Sequence, residues 1–155
     1  MRAPKLVQHL KANADSMSER LLDKIRNSNR CRDLLLRVPI EEHKRYALDV
    51  YRDVVEWLAA ETDSIIESRY IELGTRRAQQ GVPFSQLFWA VCIARDYLWE
   101  YIQQHCLLDE PVEFWGGVML LRSLNQFFDQ ALYTALVAFQ KAGTSDLAGS
   151  HAVFL

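Results

Sequence analysis

The sequence predicts an all-α protein, a single-domain helical bundle of about five or six helices. Apolar residues recur at three- and four-residue steps over most of the chain, which places them on one face of each helix. No segment shows sustained two-residue alternation bounded by turn residues, so strands are not needed. With 155 residues, 50% of them hydrophobic and 25% charged, the chain fits one domain with a compact core.

The first half of the chain predicts two long helices with a short apolar segment between them. The first helix covers about residues 4 to 28, and the second runs from Ile40 to about Ala60. Pro39 must interrupt any helix there, because proline lacks an amide hydrogen and restricts the residue before it. The apolar positions of the two helices are Leu6, Leu10, Met17, Leu21 and Ile25, then Tyr46, Val50, Val54, Trp57 and Leu58.

Two further helices are predicted on either side of a Gly-Val-Pro junction. Thr62 or Asp63 is a good N-cap for a helix that carries Ile66 and Tyr70. We expect it to stop at Gly81, which can take a positive φ, and Pro83 to open the next helix, which extends to about Cys106.

The last predicted helix is the longest. It starts near Asp109 and Pro111, and its apolar pattern continues to Gly143. The Gly, Thr, Ser and Asp content after that point is typical of a flexible segment. We therefore expect residues 1–142 to form a helical sensor or regulatory domain and residues 143–155 a flexible C-terminal tail.

Charge and composition argue against several classes of partner. Eighteen basic and twenty acidic side chains give a net charge of −2, which provides no global field for nucleic acid or an anionic membrane. No apolar run approaches the roughly 18 residues that a bilayer-spanning helix needs, and the N-terminus lacks the pattern of a secretory signal. The three cysteines show no CxxC spacing, so we expect a cytoplasmic protein.

The histidines do not form a recognisable site. They lie on four separate segments without an HExxH or CxxC pair, so no metal site is predicted and surface or cap positions are expected for all four. These residues are His9, His43, His105 and His151. No GxGxxG, P-loop or GxSxG motif is present either, and we expect neither an enzyme nor a cofactor.

Arg77 has two interpretations. Together with Arg69 and Arg76 it lies among acidic residues, as on a solvated helix face with local ion pairs. Alternatively it points inward and meets Asp96, Glu100 or another carboxylate, because arginine tolerates burial when its fork is paired.

The aromatic residues are concentrated in the second half and fall on different faces of the same two helices. One face can fill a core within the chain, but Trp89 and Trp115 need another environment. A second copy of the chain would bury that surface, since monomers seldom expose large apolar patches. A single large core remains the alternative.

Residues 73–87, LGTRRAQQGVPFSQL, resemble the central signature of the RsbRD N-terminal-like domain, in which an LGxxRAxxGxP element joins two helices. The resemblance extends loosely over about residues 5 to 142. It implies an input module of stress signalling, usually dimeric and related to non-haem globin-like sensors, which transmits its state to an output domain. It implies no enzymatic activity.

The same passage in haem-binding globin sensors carries the iron-ligating histidine four residues before the glycine. Here that position is Arg77, whose guanidinium is always protonated and has no free lone pair for iron. A haem- or tetrapyrrole-binding sensor would therefore have to use His105. A purely structural interaction module without a ligand is the other alternative.

These observations favour a regulatory input domain that homodimerises through its long aromatic helices and changes its contacts when a small apolar ligand or a separate signalling protein binds. Candidate residues of an apolar pocket are Phe88, Cys92, Trp99 and Phe128. Arg77, Gly81 and Pro83 are the candidates for a helix-helix junction. The sequence leaves open whether the chain is complete or part of a larger regulator.

Overall fold

The computed structural model describes residues 4–60, 64–105 and 114–154, with side chains described for 4–59, 66–105 and 117–144. In these ranges the chain is helical and has no strand, so the predicted all-α class is confirmed. A 3₁₀ turn, Asn29–Cys31, precedes the second helix. The helices are α1 (Pro4–Arg26), α2 (Arg32–Arg37), α3 (Ile40–Ala60), α4 (Ser64–Gln79), α5 (Phe84–Gln104) and α6 (Phe114–Phe154).

Local chemistry explains where the helices begin and end. After α1, the Ser28 side chain accepts a hydrogen bond of 3.2 Å from the amide of Arg30 and caps the 3₁₀ turn. Pro39 separates α2 from α3, and its carbonyl accepts from the amides of Glu42 and His43 in the first turn of α3. The predicted helix from Ile40 to Ala60 is therefore confirmed, while Thr62 and Asp63 lie outside the described residues.

Gly81 ends α4 with a positive φ of 73°. The amide of Gly81 donates to the carbonyl of Ala78, and the amide of Val82 donates to the carbonyl of Arg77, both at 3.1 Å. This pair of hydrogen bonds is a Schellman motif, in which an L-residue at the glycine position would be strained. The buried Val82 and the extended Pro83 then lead directly into α5.

The predicted end of the last helix at Gly143 was wrong, because α6 continues to Phe154. A glycine costs a helix only about 1 kcal/mol relative to alanine, so a single one does not have to end it. Thr144 fits the continued helix by donating its hydroxyl to the carbonyl of Gln140 at 2.9 Å. The predicted start at Asp109 and Pro111 lies outside the described residues, and the flexibility of residues 143–155 stays a prediction.

Two closely packed helix pairs organise the bundle. α1 packs along α3 and α4 packs along α6, while α5 contacts both pairs. The α4–α6 approach is close because Gly74 faces the backbone of Ala135, in a stretch of α6 where Ala131, Ala135 and Ala138 are buried. By contrast, very few residues of α3 and α4 have backbones that lie close to each other. No helix within the described ranges combines the length and the hydropathy that a membrane span requires.

Candidate functional site

A partly open cavity of about 80 Å³ lies where α3 faces α4, and residues of α1, α2 and α5 form the rest of its walls. Its walls are mostly apolar and include Leu21, Val50, Leu73 and Ala94. Seven side chains with polar groups also line it, all of them from α3 and α4: His43, Tyr46, Asp49, Asp53, Arg69, Tyr70 and Arg77. An apolar cavity with a few polar groups is the usual form of a small-molecule site.

Arg77 lies at one end of the cavity and points inward, which is one of the two alternatives that the sequence left open. Its side chain is only 2% exposed. Its Nη1 donates to Oε1 of Gln80 at 2.8 Å and lies 3.5 Å from Oε1 of Glu42, so Glu42 rather than Asp96 or Glu100 is its carboxylate. The Arg77 Nε atom is buried and has no hydrogen-bond partner.

Glu42 joins α3 to the end of α4 through three residues. Its Oε1 accepts from Arg76 Nε at 3.1 Å, and its Oε2 accepts from Gln80 Nε2 at 3.0 Å. The hydrogen bond from Arg76, with the positive charges of Arg76 and Arg77, holds the pKa of Glu42 below its usual value despite partial desolvation. Glu42 is therefore ionised near neutral pH and partly compensates the buried charge of Arg77.

His43 is buried beside this cluster, contrary to the expectation of a surface or cap position. Its Nε2 lies 3.1 Å from the carbonyl of Leu34, and because a carbonyl only accepts, the Nε2–H group must donate. Desolvation lowers the pKa of His43, and the neighbouring charge of Arg77 lowers it further. The sequence interpretation failed because the chain reversal at Pro39 brings α2 over the first turn of α3.

Asp53 lies at the other end of the cavity and its side chain is 1% exposed. Arg69 Nη1 lies 2.9 Å from Asp53 Oδ1 and 3.3 Å from Asp49 Oδ1. The ion pair does not have hydrogen-bond alignment, and neither oxygen of Asp53 has an aligned hydrogen-bond partner, although the Tyr70 hydroxyl is close enough to interact with the carboxyl group. Desolvation raises the pKa of Asp53 to about 7, and Arg69 offsets only part of this effect.

Tyr46 completes the polar lining between the two ends. The Arg77 guanidinium carbon lies 4.8 Å from the centre of its ring. The Tyr46 hydroxyl is buried and its proton has no acceptor. Desolvation raises its pKa, although Arg45, which can only donate to the hydroxyl oxygen, partly opposes that rise. Unpaired polar atoms thus occur at Arg77, Tyr46 and Asp53, all of which line one cavity.

Comparison with protein families matches residues 15–152 to the family described as the RsbT co-antagonist protein rsbRD N-terminal domain. The chain belongs to this family. It is therefore a regulatory domain of a stress-signalling family, which is not a known enzyme family. Neither the curated proteins nor the solved structures gave a match.

The four apolar residues predicted for a pocket of this RsbRD-type domain are not brought together in the cavity. Phe88 is 44% exposed, Trp99 is half-buried, and Cys92 and Phe128 are buried elsewhere in the bundle. The face of α5 that lines the cavity is instead formed by Leu87, Ala90, Val91 and Ala94. A ligand role for the four predicted residues stays a prediction.

The residues predicted for a helix-helix junction lie where α4 ends and α5 begins. Arg77, Gly81 and Pro83 follow each other through the end of α4 and the start of α5, and Arg77 also lines the cavity. The other polar lining residues were missed by the sequence analysis. Their signal is the helical spacing of His43, Tyr46, Val50 and Asp53, in which a carboxylate continues an otherwise apolar face of α3.

His105 does not reach this cavity. It is exposed at the end of α5, where its Nδ1 lies 3.0 Å from the carbonyl of Tyr101 and its ring stacks on the Tyr101 ring.

The volume of the cavity, about 80 Å³, is far below the roughly 300 to 1,000 Å³ of pockets that hold drug-sized ligands. Within the described residues, no cluster of three or more His, Cys, Asp or Glu could hold a metal ion.

Proposed function

We propose that this chain is a non-catalytic input domain that homodimerises and relays the binding of a ligand or a signalling partner through a change at the α3–α4 seam. The seam is the boundary between α3 and α4, which encloses the cavity and is bridged by charged side chains. The observation that carries the proposal is the contrast between this weakly packed, polar boundary and the close packing within the α1–α3 and α4–α6 pairs.

The bridges across the seam are suited to a change of state. Arg45 and Glu72 lie 3.7 Å apart on its solvent side and are 54% and 65% exposed, so their pairing stabilises the seam by less than about 1 kcal/mol. The apolar interfaces within each helix pair contribute much more. A small difference in binding free energy could therefore shift the two pairs relative to each other without unfolding either pair.

A signalling protein is the partner that the family supports. The family description names RsbT, and we propose that a protein of this kind binds the chain. If binding changes the packing at the seam, the backbone hydrogen bonds of α3 and α4 should open more or less often. Amide hydrogen exchange of the whole chain, with and without RsbT, measures this directly: we expect slower or faster exchange in α3 and α4. RsbT binding with unchanged exchange in both helices would refute the relay.

The dimer is proposed to use the exposed apolar side chains of α5 and α6. Phe88 is 44% exposed, and Val118, Met119 and Leu121 of α6 are 40%, 49% and 38% exposed. Trp89 is partly covered within the chain, because the Arg30 guanidinium lies 4.1 Å from the centre of its ring. The side chain of Trp115 lies outside the described residues.

Size-exclusion chromatography with light scattering tests the dimer. We expect twice the chain mass of 18.0 kDa and a shift toward monomer for the double variant Phe88→Ser with Met119→Ser. Ile71→Ser is the matched control, because Ile71 is 49% exposed on α4 and lies outside the proposed surface. A wild-type monomer at all concentrations would refute this part of the proposal.

Two alternatives are separated by simple measurements. A tetrapyrrole sensor using His105 requires a Soret absorbance band after purification with haem, and loss of that band in His105→Ala. A purely structural module requires that no small molecule be retained in native mass spectrometry and that partner binding leave the seam unchanged. The buried unpaired polar atoms of the cavity favour the relay over both alternatives.

A further inference from the structure

Two unpaired hydrogen-bond donors belong to the Arg77 end of the cavity. Arg77 Nε and the Tyr46 hydroxyl are both buried without an acceptor, and both side chains line the cavity. The guanidinium carbon lies 4.8 Å from the centre of the Tyr46 ring, so the two side chains are neighbours. Buried donors are normally paired, and an acceptor from a ligand would satisfy them.

The charge at this end favours an anionic acceptor. Arg76 and Arg77 share the single carboxylate of Glu42. Arg37 adds a further positive charge, because its Nη1 lies beside Gly81 at the end of α4. His43 is held toward its neutral form by burial and adds no further positive charge. A ligand carboxylate would pair with the Arg77 charge and accept from both unpaired donors.

The rest of the cavity limits the ligand to a small molecule with one acidic group. Apolar side chains such as Ala47, Val50, Leu73 and Ala90 follow the Arg77 end. At the far end, Asp49 and Asp53 share the single cation of Arg69, so a second carboxylate is disfavoured there above pH 7, where Asp53 is ionised. The volume of about 80 Å³ is close to half that of the roughly 150 Å³ engineered cavity that binds benzene.

We propose that the α3–α4 cavity binds a short-chain aliphatic monocarboxylate of about three or four carbons. Its carboxylate accepts hydrogen bonds from Arg77 Nε and the Tyr46 hydroxyl, and its alkyl chain lies between Val50 of α3 and Leu73 of α4. This assignment names the ligand class for the relay proposed above and rests on that function for its biological meaning. Because the walls of the cavity come from both helix pairs, a bound ligand would change how the two pairs pack against each other at the seam.

Isothermal titration calorimetry of the full chain with sodium propionate and sodium butyrate tests the assignment. We expect saturable binding with a Kd in the millimolar range, as befits a ligand with so few atoms. Propionamide, which has the same shape without the charge, should bind about tenfold more weakly or not at all. At pH 8, where Asp53 is ionised, succinate should also bind more weakly, because its second carboxylate would face Asp49 and Asp53.

Three variants locate the site. Tyr46→Phe removes only the hydroxyl and should weaken propionate binding about three- to tenfold. Arg77→Met removes the buried charge and should abolish binding. Arg52→Gln is the matched control, because Arg52 is an exposed arginine of α3 that does not line the cavity. Circular dichroism confirms the fold of each variant, and Tyr46→Phe decides the question if Arg77→Met does not fold.

The assignment is overturned by the absence of saturable propionate and butyrate binding, by equal affinity for propionamide, or by wild-type affinity in folded Tyr46→Phe. Its failure is distinguishable from failure of the relay. If RsbT changes the exchange of α3 and α4 but carboxylates do not bind, the ligand class is wrong and the relay stands. If propionate binds as described but RsbT leaves exchange unchanged, the site stands and the relay fails.

Discussion

Arg69 Nη1 lies 2.9 Å from Oδ1 of Asp53, yet the carboxyl group of Asp53 has no aligned hydrogen bond. The pair joins α4 to α3 at the end of the cavity opposite Arg77. Because Asp53 is almost fully buried while Arg69 remains 37% exposed, the attraction of Arg69 does not fully compensate the desolvation of the carboxylate. The pair therefore links α4 to α3 across the seam, but it does not hold Asp53 in its ionised form.

Asp53 should make the free energy of unfolding depend on pH near neutrality. Its pKa is about 7 in the folded chain against an ordinary value of 3.8, so between these values the folded chain binds more protons than the unfolded chain. The Asp53 contribution to stability is thus lost as pH rises from about 4 to 8, by about 2 to 4 kcal/mol.

Urea unfolding at several pH values, compared between wild type and Asp53→Asn, measures that contribution. We expect Asp53→Asn to gain stability relative to wild type as pH rises. Glu41→Gln, at an 82% exposed carboxylate on the same helix, should leave the wild-type slope unchanged. A difference between Asp53→Asn and wild type that does not vary with pH would contradict the prediction.

Loss of the Glu42 carboxylate should destabilise the chain through Arg77. Glu42→Ala leaves the buried Arg77 guanidinium without its carboxylate and removes the acceptor of Gln80. We expect a loss of about 3 kcal/mol in the free energy of unfolding, measured by chemical denaturation. The neighbouring variant Glu41→Ala should change stability by less than about 0.5 kcal/mol.

The Glu42 contribution also has a pH dependence of opposite sign to that of Asp53. Because the folded-state pKa of Glu42 is lowered, its contribution is present above the ordinary value of 4.5 and is lost as pH falls through the lower folded value. Equal acid sensitivity of wild type and Glu42→Ala would argue against this.

His43 should be neutral at pH 7, with its proton on Nε2. Burial and Arg77 lower its pKa below the ordinary 6.5, so its contribution to stability is present above pH 6.5 and is lost as pH falls through the folded value. Nitrogen-15 NMR of the ring identifies the tautomer and the titration midpoint. The urea-unfolded chain is the control, and a folded midpoint equal to its value would contradict the prediction.

Gly74 should tolerate no side chain. A Cβ atom at this position would overlap the backbone carbonyl of Ala135, so Gly74→Ala must push α4 and α6 apart. We expect a loss of about 2 to 4 kcal/mol, measured by thermal or urea unfolding. Gly117→Ala in α6 is the matched control, because nothing lies within 4 Å of the added Cβ. It should stabilise the chain by about 0.5 to 1 kcal/mol, and equal effects of the two variants would contradict the close approach.

Most of the correct predictions about the fold came from residues that act on their own local backbone. Pro39 and Gly81 act on their own backbone, through a missing amide hydrogen and a positive φ, so both breaks can be recognised without tertiary structure. Gly143 shows the limit of this reasoning. A glycine in a helix carries a modest energetic cost, and nothing in its own residue type specifies whether the helix continues.

The site was harder to predict because its residues are distant in the sequence. Asp53 and Arg69 belong to different helices, and so do Glu42 and Arg77. Helical periodicity assigns each to a face of its own helix but does not say which faces meet. Phe88 and Cys92 illustrate the same limit, because they satisfy the apolar pattern of α5 while the neighbouring face lines the cavity.

The sequence by itself determined the helical class, the family and the principal breaks, because periodicity, proline and glycine act over a few residues. Only the tertiary structure decided that α1 pairs with α3 and α4 with α6, and that a polar cavity lies at their boundary. The physical reason is that burial and charge pairing depend on which helix faces meet in space. That arrangement desolvates Asp53 and His43 and leaves Arg77 Nε without a partner.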